Sequence, residues 1–74
     1  MDDKIKQVFA SVFQISGDQV TDALSPQDVP SWDSLGHVRL VTALQETFGV
    51  ELDVEEIMRM ENVAEIKKIL EARA

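Results

Sequence analysis

Between Asp33 and Gly49 the chain allows one amphipathic helix and little else. Asp is a favoured helix N-cap and Gly a natural C-terminal stop. Between them, at about 100° per residue, Leu40, Val41, Leu44 and Phe48 fall on a single stripe. A helix over 34–48 is therefore predicted, with that stripe facing the core. The same period recurs on both sides. Ile5, Val8, Phe9, Val12 and Phe13 are spaced i, i+3, i+4, i+7, i+8, which predicts a helix over about 2–14. Asp2 and Asp3 stand at its start, where the helix dipole favours negative charge, and Gly17 closes the region. Asp53 with Glu56 three residues on is a capping-box signature that opens a short third helix. Asn62 and Glu65 repeat it for a last helix that runs to the C-terminus, with Val63, Ile66, Ile69 and Leu70 on its inner face. Sustained period-two alternation is missing, so strands are not expected.

Residues 15–33 read as a long connection holding Gly17, Pro26 and Pro30. Ser25-Pro26 suits the start of a single helical turn, Ser as cap and Pro at the first position. Val20, Leu24, Val29 and Trp32 are the apolar anchors expected to pin this loop to the core, because so long a loop in a small domain is usually functional or packed. With 74 residues there is room for one domain, residues 1–74. The predicted fold is all-α: a four-helix bundle with three long helices, a short third helix and a long first loop.

Charge narrows the function. Acidic residues number 14 against 7 basic, a net charge of -7. A nucleic-acid binder would show a basic stripe, and an anionic membrane would repel this chain. Partners with basic patches are the natural complement, although charge also keeps a small protein soluble. Ten of the acids lie between Asp18 and Glu61, where the only bases are Arg39 and Arg59. With no Cys and one His, thiolate and histidine-rich metal sites are excluded. No apolar run reaches membrane-spanning length and no signal peptide follows Met1, so a cytoplasmic monomer is expected.

Ser34 falls at the first turn of the second predicted helix with its hydroxyl toward solvent. First-turn N–H groups lack helical partners and carry partial positive charge, so a phosphate ester is favoured there. An ordinary Asp-Ser helix start would look the same. Leu35 and Val38 project outward beside Ser34, with Thr42 below, and form a small apolar patch. His37 projects toward the inner side. It could gate a cleft, but the expectation is a ring at the solvent edge.

Asp33-Ser34-Leu35, followed by Val38, Leu40, Val41, Leu44 and Phe48-Gly49-Val50, resembles the acyl carrier protein signature. The resemblance extends over the whole chain in helix lengths, long first connection, short third helix and acidic balance. It implies a carrier rather than an enzyme. A phosphopantetheinyl transferase would move 4'-phosphopantetheine from coenzyme A onto Ser34, giving a chain without Cys the thiol on which acyl or aminoacyl groups ride as thioesters. The resemblance also implies an acyl cleft between the second and third helices, here lined by Val41, Leu44, Ile57 and Met58, residues that equally read as plain core. Asp33, Leu35, Val38, Glu46, Glu55 and Glu56 become the residues for transferase and partner recognition, Asp33 also as helix cap. The partners implied are the transferase and acyl- or aminoacyl-loading and transfer enzymes with basic patches. Fatty acid synthesis carriers tend to set acids along the second helix, where this chain has Gly36, Arg39 and Gln45 with Glu46 alone acidic. Many family members have Gly where Ser31 stands. A specialised pathway is the expectation, polyketide-like products, polysaccharide modification and aminoacyl transfer all remaining open. The Met1 start and lack of flanking linkers suggest a freestanding carrier.

Other classes fit less well. Asp33, Ser34 and His37 as a hydrolytic triad would need the Asp to orient a ring beyond its own cap, with no oxyanion hole. A calcium site would need a D-x-D-x-D-G loop, which is not there. A helical docking module without a prosthetic group is the alternative, and modification of Ser34 separates the two.

Overall fold

The computed structural model describes residues 1–73. Four helices follow in order: α1 (Asp2–Phe13), α2 (Ser34–Phe48), α3 (Val54–Met58) and α4 (Val63–Arg73). No strand occurs among the described residues. The expected run of the last helix to Ala74 lies, at that final residue, outside them.

Each long helix buries the stripe its spacing dictates. Ile5, Val8, Phe9 and Phe13 go inward from α1, Leu40, Val41 and Leu44 from α2, and Val63, Ile66, Ile69 and Leu70 from α4. Phe48 departs from its expected place and is only half-buried. It sits at the last residue of α2, where the core thins, and the Lys4 ammonium covers its ring at 5.9 Å. Helix α1 stops one residue earlier than expected because Gln14 turns left-handed, φ 56°. Gly17 does not close that region but opens a 3-10 turn, Gly17–Gln19, where the Gln19 side chain accepts from Ser16 N and Ser16 Oγ accepts from Asp18 N.

All four expected loop anchors, Val20, Leu24, Val29 and Trp32, are buried. At Ser25-Pro26 the chain makes a turn rather than a helix, closed by Asp28 N donating to Ser25 O and by Ser25 N donating to the Asp28 carboxylate. The loop is also tied to α4 through the backbone. Val63 N donates to Leu24 O and Ala64 N to Asp22 O, both at 3.0 Å. Asn62 Oδ1 accepts from Glu65 N at 2.8 Å. Three first-turn donors of α4 that no helix can satisfy internally are thus paired, two of them by the loop. Lys67 adds an ion pair to Asp22 at 2.6 Å and one to Asp2 at 3.5 Å, and the Asp22 hydrogen bond raises its pKa above the ordinary lysine value.

Helix α3 has five residues and too little apolar surface to hold itself: Ile57 is half-buried while Val54 and Met58 are exposed. Its stability comes from polar groups. Asp53 Oδ1 accepts from Glu56 N at 2.8 Å and Glu56 Oε1 from Asp53 N at 3.1 Å, closing the capping box. Arg73 at the end of α4 then donates Nε to Glu56 Oε2 at 2.9 Å and a second nitrogen to Glu56 Oε1. Leu52 and Met60, buried on either side, pin the ends of the segment.

The Arg73 hydrogen bond, helped by the Asp53 backbone N–H, lowers the Glu56 pKa from 4.5 to about 2. A carboxylate more acidic folded than unfolded stabilises fully above its unfolded value and loses that contribution as pH falls through its folded one. Stability should therefore fall between pH 4.5 and about 2. Arg73→Met should flatten this acid limb, as read from thermal unfolding midpoints across the window. An unchanged limb in that variant would mean that other carboxylates set it.

Candidate functional site

The start of α2 is fixed by what will not fit there. Gly36 is buried, and a Cβ added to it would lie 1.9 Å from Ser31 O and 3.1 Å from the Phe13 ring. Only glycine lets the loop backbone press this closely on the helix. Asp33 caps the helix from an extended conformation, its Oδ1 accepting from Gly36 N at 2.9 Å. His37 N donates to Asp33 O at 2.8 Å. The N–H groups of Ser34 and Leu35 have no acceptor among the described residues. Ser34 is exposed, the first residue of the helix, beside two backbone N–H groups that no helical carbonyl can reach.

Trp32 anchors this end. Its indole is 3 % exposed and packs edge-on to Phe9, centroids 5.2 Å apart, and face-on to Phe13 at 5.7 Å. Its Nε1–H donates to His37 Nδ1 at 2.9 Å. With Nδ1 accepting, the ring proton sits on Nε2, which donates to Ile57 O at 2.9 Å. The expectation of a ring at the solvent edge is thus corrected. His37 is half-buried, its ring edge to edge and nearly coplanar with the Trp32 indole, and ties the first turn of α2 to the backbone of α3. A sequence gives no sign of this, because the acceptor is a backbone oxygen twenty residues away. Both ring nitrogens are engaged, and Asp33 is engaged with Gly36, so the three cannot form a triad with Ser34.

An open groove of about 830 Å³ adjoins Ser34. Trp32, His37 and Met60 line its inner part. Its rim runs from the turn at Ser25, Pro26 and Gln27 to Glu61 and Asn62 between α3 and α4.

The residues expected to form an acyl cleft are not gathered at this groove. Val41 and Leu44 are core, Ile57 is half-buried, and Met58 is 74 % exposed. Met58 points outward because a five-residue helix can turn only one side to the core. Among the expected recognition residues, Leu35 and Val38 are each 61 % exposed, and Glu46 and Glu55 are exposed and unpaired among the described residues. Glu56 is different: at 8 % exposure, capping α3 and paired to Arg73, it is a structural residue with no face for a partner. Val54 and Met58 add exposed apolar surface on α3; Met58 was expected in the cleft, and Val54 reads on sequence as an ordinary helix residue.

A family model described as the phosphopantetheine attachment site matches residues 3–70. The match spans nearly the whole chain, and this protein belongs to the phosphopantetheine-binding carrier family. Members are non-catalytic carriers of a covalently bound 4'-phosphopantetheine. They are served by a phosphopantetheinyl transferase and by acyl-handling enzymes. A docking module without a prosthetic group is set aside by that match. The residues here suit the group: an exposed hydroxyl, two free backbone donors for the phosphate, and an open groove alongside. No helix among the described residues is long and apolar enough to cross a membrane.

Two substitutions test how this end is held. Gly36→Ala forces a backbone shift, for which overpacking costs about 1–3 kcal/mol. His37→Phe leaves the Trp32 Nε1–H and the Ile57 carbonyl without their partner, about 1–3 kcal/mol for each group left unsatisfied. Urea unfolding should show both losses. Hydrogen exchange should show faster opening of α3 in His37→Phe alone, and equal protection of α3 in the two variants would mean that His37 does not hold it.

Proposed function

We propose that Ser34 is the attachment point of the arm and that the protein presents acyl or aminoacyl thioesters to partner enzymes in a specialised biosynthetic pathway. The observation that carries this is the exposed Ser34 hydroxyl at the first residue of α2, next to the unpaired N–H groups of Ser34 and Leu35. When bound, the arm supplies the thiol on which the cargo is held. The protein's own part is to present and to orient. Asp33 holds the first turn through Gly36 N, so Ser34 meets the transferase on a rigid helix rather than a mobile loop.

Leu35 and Val38 beside Ser34, with Val54 and Met58 on α3, form the apolar contact for partners, and Glu46 and Glu55 the acidic one. Arg39, exposed on α2, supports a partner whose basic patch is interrupted by an acid, which is the argument for a dedicated pathway. For cargo to reach Val41 and Leu44, α3 must move away from α2, because both residues are buried in the closed form. Ile57 would then line the cleft and Met58 its outer edge. The His37 bond to Ile57 O resists that movement.

Intact mass after incubation with coenzyme A, magnesium and a transferase should rise by one phosphopantetheine, and Ser34→Ala should show no gain. Modification of that variant at another residue would overturn the assignment. Leu35→Asp and Val38→Asp should keep the helical circular dichroism of the parent and be modified at least about tenfold more slowly, the equivalent of about 1.4 kcal/mol. Unfolding in either variant would mean that the side chain is part of the core.

A further inference from the structure

Ser34 stands on the rim of the groove described above, so anything attached to its oxygen starts at the mouth. The groove is bounded by the long loop and by the segment between α3 and α4, not by Val41, Leu44, Ile57 or Met58. It is thus separate from the cleft expected between α2 and α3.

Its lining has a definite chemistry. Trp32 and Met60 give it apolar surface. The side-chain amide of Gln27 is exposed and makes no hydrogen bond among the described residues. Asn62 uses its Oδ1 on Glu65 N and leaves its NH2 group free. Neighbouring polar groups are engaged within the fold: Ser25 with Asp28, Asp33 with Gly36, His37 with Trp32 and Ile57. The unused groups are therefore one amide that can donate and accept and one NH2 that can donate. Glu61 and Asp33 put two carboxylates on the rim, which disfavours a free anion in the groove.

A neutral ligand with its own amides and a compact apolar segment matches this lining. Beyond its phosphate, phosphopantetheine is such a ligand: two amides and a gem-dimethyl group. Attached at Ser34, it would meet the groove at an effective concentration of roughly millimolar, so even weak contacts would be populated.

We infer that this groove is a binding site for the neutral part of the arm. The arm's amides pair with Gln27 and the Asn62 NH2, and its methyl groups pack against Trp32 and Met60. The inference rests on Ser34 as the attachment point. The groove holds the arm on the loop side of α2, leaving Leu35 and Val38 uncovered for a partner.

The test uses isotope-labelled protein carrying an unlabelled arm, with intact mass read first. Isotope-filtered NOEs should connect the arm's methyl protons to the Trp32 ring and the Met60 methyl group. The side-chain amide resonances of Gln27 and Asn62 should shift between the unmodified and modified forms. Gln27→Ala, a change at an exposed residue, should be modified normally and show weaker arm NOEs. Arm NOEs confined to Ser34 and Leu35, NOEs to Ile57 and Met58 instead, or none at all would overturn the groove. A protein that gains no mass would overturn the attachment point, and the groove assignment with it, and is told apart from those outcomes by the mass itself.

Discussion

The Ser34 end of α2 depends on Trp32 being buried in a loop that otherwise has few reasons to stay in place. Its indole joins α1 through Phe9 and Phe13 and joins α2 through His37. Each aromatic contact contributes on the order of 1 kcal/mol beyond the area it buries. Because Trp32 directly precedes the cap Asp33, fixing the indole fixes where α2 begins and which way it leaves the loop. Gly36 permits the arrangement by letting the Ser31 carbonyl approach. The position of Ser34 thus follows from a buried side chain two residues away, not from any contact of its own.

The helices were legible because each obeys local rules. Caps at Asp33, Asp53 and Asn62, the stop at Gly49 and the apolar stripes act within a few residues, and a sequence records such relations directly. The loop anchors were legible too, since a large apolar residue among polar ones has few other places to go. Three features were not. His37 bridges to a backbone carbonyl, and every residue has one, so nothing in the letters marks Ile57 as its partner. Gly36 read as a family difference, when its reason is a carbonyl pressing on the helix from the loop. Glu56 read as a surface acid, when its second role depends on Arg73 arriving from the far end of the chain. Each of these is a tertiary relation between residues whose own types permit many alternatives.

The acidity also changes meaning once the side chains are seen. Asp22, Asp28, Asp33, Asp53 and Glu56 are engaged in ion pairs, turns and caps. Of these, among the described residues, only Asp22, Asp53 and Glu56 face a cation, Lys67 or Arg73, while Asp28 and Asp33 keep their charge at the surface beside exposed acids such as Glu46 and Glu55. Arg39 and Arg59 are exposed and unpaired among the described residues. The acidic surface is thus interrupted by two positive charges.

The backbone bonds from Leu24 and Asp22 to the first turn of α4 bear on the order in which the chain can acquire its structure. Helices α1 and α2 can form from local interactions, but the loop between them gains these two bonds only when the last helix arrives. On a ribosome, the segment holding Trp32 emerges well before its clasp does. Final seating of the loop therefore waits for α4. The last helix, remote in sequence from Ser34, is thereby a precondition for the order of the loop that leads into α2.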